Sequence, residues 1–101
     1  MDYNGWTNWE TWNFKLWLDN DEGLYNLINK TATVLVHHKK TFAKALKMVA
    51  DKVVGTELCM DLKKENIPDI NFNEISDYIL EAFEAEKEAT EDIIIGRKLA
   101  I

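Results

Sequence analysis

The chain has 101 residues, 47% hydrophobic and 30% charged, which is material for one compact domain (residues 1–101) and too little for two. One proline, four glycines and a single cysteine, Cys59, exclude a collagenous or linker-like chain, an intrachain disulfide and a cysteine-based zinc site. No apolar run approaches the roughly 18 residues of a membrane span. Met1 leads directly into Asp2-Tyr3-Asn4-Gly5 without a secretory signal, so a cytoplasmic protein is expected.

The net charge of -6 is unevenly spread. Residues 1–30 carry 2 basic and 5 acidic side chains, residues 31–64 carry 7 and 3, and residues 65–101 carry 3 and 10. The basic middle, with His37-His38-Lys39-Lys40, offers contacts to phosphate, while the domain as a whole repels nucleic acid. In the simpler reading the basic and acidic helices face each other or are merely solvated.

In chain order, Thr7-Asn8-Trp9-Glu10 has the form of a capping box, which predicts a helix beginning there. Trp9, Trp12 and Leu16 share one face of it and Phe14, Trp17 and Leu18 cover another, so the helix is apolar nearly all round and is expected to pack centrally, with Trp12 in the core. Asn20 reads as the cap of a second helix over about 21–36, with Leu24, Leu27, Ile28 and Leu35 on its core face. Its β-branched residues Thr31, Thr33, Val34 and Val36 weaken the later turns. Thr41 is the expected cap of a strongly amphipathic third helix with Phe42, Ala45, Leu46, Val49 and Val53 inward and Lys40, Lys44 and Lys47 outward. Gly55 ends or loosens it, because Leu58, Cys59 and Leu62 continue the apolar stripe.

Asn66-Ile67-Pro68-Asp69 is a clear break. A fourth helix, capped by Asn73, buries Ile75, Ile79, Ala82 and Phe83 and leaves Glu74, Asp77, Glu81, Glu84 and Glu88 in water. The tail, residues 93–101, is apolar without a clear period; it packs on the body, pairs as a strand, or buries against another copy in a homo-oligomer. The predicted fold class is all-α with about four helices, the alternative being α+β with a short C-terminal strand.

No phosphate-binding glycine loop, nucleophile elbow or H-E-x-x-H pattern is present, and a non-enzymatic protein without cofactor or metal is expected. His37 and His38 point about 100° apart on a helix, which suits surface residues better than two ligands of one metal. Cys59 lacks a neighbouring base and reads as a small buried hydrophobe. The tryptophans stand out, because Trp6, Trp9, Trp12 and Trp17 fall within twelve consecutive residues. They form the core, or Trp6 and Trp17 lie off the main face as aromatic anchors for a partner; the two readings coexist.

The segment Asn4-Gly5-Trp6-Thr7-Asn8-Trp9-Glu10-Thr11-Trp12, followed by Leu16-Trp17-Leu18, resembles the opening W-T-N-[WY]-E-T-W…L-W-L of small proteins encoded by phages, archaeal viruses and plasmids. Ile70-Asn71-Phe72-Asn73-Glu74-Ile75 resembles a later segment of the same proteins, with Phe72 in place of tryptophan. The resemblance implies a setting, a mobile genetic element, rather than a reaction. With the acidic charge it leads to the expectation of a protein that binds a host or competing-element protein, most sharply as an inhibitor of a defence nuclease of anti-CRISPR or antirestriction type. The contacts would come from Trp6, Trp17, Glu81, Glu84 and Glu88. The alternative is a nucleic-acid-associated regulator using Lys39, Lys40, Lys44 and Lys47.

Overall fold

The computed structural model describes the backbone of residues 3–99 and the side chains of residues 3–86. Three helices follow one another closely, α1 (Trp9–Asn20), α2 (Glu22–Leu35) and α3 (Lys39–Val53). A loop and a 3-10 helix (Lys64–Asp69) then lead into the long α4 (Phe72–Leu99). The fold is all-α: among the described residues there are two isolated bridges, Tyr3 with Trp6 and Val54 with Cys59, and no strand. Residues 93–99 continue α4, which removes the alternative of a C-terminal strand; the side chains of the apolar tail lie outside the described residues. No helix among the described residues is long and apolar enough to cross a membrane.

Each helix starts beside the expected residue rather than on it. Asn8, not Thr7, caps α1, its Oδ1 accepting the Thr11 amide at 2.9 Å. Asp21, not Asn20, caps α2 by accepting the Leu24 amide at 2.8 Å, while its own N–H donates to the Trp17 carbonyl. One residue thereby closes α1 and opens α2. His38 precedes α3 and makes no side-chain cap, with Thr41 already inside the helix. Asn71, not Asn73, accepts the Glu74 amide at 3.0 Å where α4 begins. A short polar side chain caps whichever helix start brings the amide two or three residues ahead within reach, and neighbouring candidates differ only in where the chain must turn.

Gly55 ends α3 at φ +84, a left-handed conformation that glycine adopts without strain. Cys59 and Leu62 therefore reach the core from a loop, and Leu58 stays exposed.

The core joins Phe14 and Leu18 of α1, Leu24, Ile28 and Ala32 of α2, Phe42, Leu46 and Ala50 of α3, and Ile75 and Leu80 of α4. α4 packs chiefly on α3 and also touches α1 and α2. Ser76, fully buried, donates its hydroxyl to the Lys39 carbonyl at 2.8 Å and so ties α4 to the start of α3. Leu27, expected inside, is 48% exposed, and Ala82 is exposed as well. The larger correction concerns Trp12. It is half-buried against the ring of Tyr3, at a centroid distance of 4.9 Å, and stands outside the core that Phe14 and Leu18 enter.

Candidate aromatic and acidic binding surface

The two segments that carry the sequence resemblance dock on each other. Tyr3 and Trp6 exchange backbone hydrogen bonds of 2.6 and 2.8 Å across Asn4 (φ +49) and Gly5 (φ +89), the left-handed pair a tight hairpin requires. From there the Thr7 amide donates to Glu74 Oε1 at 3.1 Å, and the Asn8 amide group donates to the Asp69 carbonyl at 2.7 Å. The Thr11 hydroxyl donates to Asn8 Oδ1 at 2.6 Å and accepts the Asn71 amide at 2.9 Å. Phe14 meets Phe72 edge to face at 5.8 Å. Asn8 and Thr11 of the motif thus spend their side chains on contacts within the protein, and Thr7 joins this latch through its backbone amide rather than forming a capping box with Glu10.

The hairpin also sets Trp6 against Tyr78 of α4, the ring centroids 5.1 Å apart and the planes tilted by 56°. Trp6 is half-buried and Tyr78 is 57% exposed. Asn4, Gly5, Trp6, Glu74 and Tyr78 line an open cleft of about 270 Å³. At 100° per residue, α4 turns outward from Tyr78 through Glu74, Glu81 and Asp77 to Glu84, an arc of about 120°. Its opposite side carries Ile75, Ser76 and Leu80 into the core. The cleft and the carboxylates therefore form one surface. The side chain of Glu88 lies outside the described residues.

Among the sequence-predicted residues, Trp17 stands apart. Its indole N–H donates to Asp61 Oδ2 at 3.1 Å, an oxygen that also receives Asn13 Nδ2 at 3.3 Å, and its ring packs on the core margin. The lysines divide as well. Lys39 reaches Glu81 at 3.3 Å and Asp77 at 3.7 Å, and the hydrogen bond to Glu81 together with both carboxylate charges holds its pKa above the ordinary lysine value. Lys47 pairs with Asp51 at 3.2 Å, and Lys40 and Lys44 are exposed with no ion pair to a described residue. Tyr78 and the N-terminal hairpin as parts of one surface were not foreseen; the signal was the recurrence of Asn and Glu beside aromatics in both motif segments.

A second groove of about 150 Å³ opens between α1, α2 and α4, walled by Leu18, Ile28, Ile79 and Phe83. Its cation is already engaged, since Lys15 pairs with Asp19 at 2.5 Å and lies 5.3 Å from the centre of the Tyr78 ring. His37 and His38 are exposed, and no group of three metal-ligating side chains occurs among the described residues. Cys59 is buried, and burial, reinforced by the Asp61 charge and opposed by a backbone hydrogen bond from Leu62, pushes its thiol up to about 11, so it is protonated at neutral pH.

Residues 1–89 match the model of a family of unknown function (DUF7249), and the chain belongs to that family. No curated protein and no solved structure matches it.

Proposed function

From this family of unknown function, we propose a member that is not an enzyme and acts by stoichiometric binding to another protein, through the Trp6–Tyr78 pair and the carboxylate arc of α4. The partner in this proposal is a defence nuclease of CRISPR or restriction type in the host cytoplasm, and the setting is a mobile genetic element. The observation that carries the reading is the adjacency of an open aromatic cleft and an acidic helix face, with Glu81 exposed and Glu84 half-buried on that face. Carboxylates so arranged compete with nucleic acid for a basic channel, and an aromatic pair beside them anchors the complex. The resemblance to phage, archaeal-virus and plasmid proteins supplies the setting. The nucleic-acid reading keeps Lys40 and Lys44 without an ion pair to a described residue, while Lys39 and Lys47 remain charged but are engaged in exposed pairs within the chain.

The test is a cleavage assay with purified CRISPR-type and restriction-type nucleases, run with wild type and two triple variants across a salt series. Reversing Glu81, Glu84 and Glu88 to lysine is expected to weaken inhibition, chiefly through slower association, and reversing Lys40, Lys44 and Lys47 to glutamate is expected to leave it intact. If the lysine variant instead loses binding to duplex DNA while the acidic variant behaves like wild type, the protein is a nucleic-acid regulator and the inhibitor reading fails.

A further inference from the structure

We infer that the cleft between Trp6, Tyr78 and Glu74 is a receptor for one basic side chain of a protein partner, an arginine guanidinium held between the aromatic faces and the carboxylate. The inference rests on the protein-binding reading above and adds the chemistry of the contact.

Four features of the cleft converge. Glu74 is positioned in advance, because its Oε1 accepts the Thr7 amide at 3.1 Å, which leaves its second oxygen for an incoming donor. The rings of Trp6 and Tyr78, 5.1 Å apart, line the cleft together with that carboxylate, and aromatic rings attract cations. The Tyr78 ring accepts a cation elsewhere in the chain, since Nζ of Lys15, which lines the other groove, lies 5.3 Å from its centroid. Gly5, at φ +89, has no atom within 4 Å of the position a β-carbon would occupy, so this wall is open to a side chain entering from outside.

Charge selects the occupant. A phosphate or carboxylate would meet Glu74 with no lysine or arginine lining the cleft to offset it. A wholly apolar group would strip water from that carboxylate without replacing its hydrogen bonds. A cation is favoured on both counts, and the carboxylate arc of α4 raises its local concentration. Arginine suits the site better than lysine, since a planar guanidinium stacks on a ring while donating in its own plane to a carboxylate. The groove between α1, α2 and α4 offers no equivalent, because Lys15 and Asp19 already satisfy each other there.

The test uses the full chain labelled with nitrogen-15 and two probes of nearly equal shape, N-acetyl-arginine amide and its uncharged analogue N-acetyl-citrulline amide. The arginine probe is expected to give a saturable shift of the Trp6 indole signal, identified by its loss in Trp6→Leu, and the citrulline probe none. Glu74→Gln retains an oxygen for the Thr7 amide, so the fold is kept, and should weaken arginine binding by about fivefold or more. Equal response to the two probes, no saturable shift at Trp6, or wild-type affinity in Glu74→Gln overturns the receptor. The nuclease assay is a separate readout. Arginine binding without inhibition of any nuclease would overturn only the inhibitor reading, and full inhibition by Glu74→Gln would remove the cleft from the inhibitory contact.

Discussion

On α1, Thr11, Phe14 and Leu18 are at most 1% exposed, whereas Trp9, Trp12 and Leu16, each two positions earlier and so about 200° away round the helix, keep part of their surface in solvent. By volume of apolar side chain the outer set is the larger. The inner set is buried because it meets two requirements at once: Phe14 and Leu18 fill the core, and the Thr11 hydroxyl completes the hydrogen bonds of Asn8 and Asn71. A tryptophan at position 11 would bury more area and leave the Asn71 amide without its acceptor. The side that can close a polar latch is the one that goes inside, and Trp9 and Trp12 are left half-buried.

The widest gap between the two faces should appear on truncating one ring from each. Phe14→Ala removes a fully buried ring that is edge-on to Phe72 and is expected to cost about 3–5 kcal/mol. Trp12→Ala deletes a larger side chain, yet one half-buried against Tyr3 alone among the rings, and should cost only about 1–2 kcal/mol. Urea midpoints of both variants measure the difference. A larger loss in Trp12→Ala than in Phe14→Ala would mean that the outer face is the real core.

That ordering could not be read from the sequence, and the reason is specific. A helical wheel of α1 shows two apolar faces and ranks them by bulk, which favours Trp9 and Trp12. The choice depends on Asn71, sixty residues later, donating to Thr11. Where a helix has one apolar stripe the wheel did better: Phe42, Leu46 and Val53 of α3 and Ile75 of α4 are buried as their spacing predicts, although Leu27 of α2 and Ala82 of α4, expected inside, are exposed. The caps shifted by one or two residues for a related reason, since Asn8, Asp21 and Asn71 each cap in a place where an adjacent or near neighbour could do so in isolation. At the candidate site, Trp6 and the acidic face of α4 were legible from composition and spacing. Tyr78 and Glu74 as walls of one cleft were not, because only the docked hairpin brings Trp6 to them.

A finer test sets the polar groups of the inner side against each other. Thr11→Val preserves shape but strips the acceptor from the Asn71 amide and a donor from Asn8, and is expected to cost about 2–3 kcal/mol. Asn13 is as deeply placed at 3% exposed, but its Oδ1 has no protein partner and its Nδ2 shares Asp61 Oδ2 with Trp17. Asn13→Leu removes one long hydrogen bond together with an unpaired acceptor, so stability should stay within about 1 kcal/mol of wild type. Thermal midpoints of the two variants decide the matter. Equal losses would show that the Asn13–Asp61 contact holds α1 as firmly as the Thr11 latch does.

The smallest effect is expected where α3 and α4 meet through exposed charges. Lys39 reaches Glu81 and Asp77 from a side chain 48% accessible to solvent, and such pairs are screened and worth little. The backbone link at the same place, Ser76 Oγ to the Lys39 carbonyl, survives any substitution of the side chain. Because the Lys39 pKa is raised by folding, its contribution is complete below the ordinary lysine value of 10.5 and fades only as pH climbs through the raised one. Lys39→Gln should therefore lower the thermal midpoint slightly at neutral pH and low salt, and leave it unchanged at high salt. A loss that matches Thr11→Val and persists in salt would show that the lysine stem is packed rather than merely charged. The same variant bears on function, since removing this cation frees Asp77 and Glu81 and makes the outer face of α4 more negative. A basic protein partner should then associate faster, whereas a surface that binds DNA through the lysines of α3 should bind it more weakly.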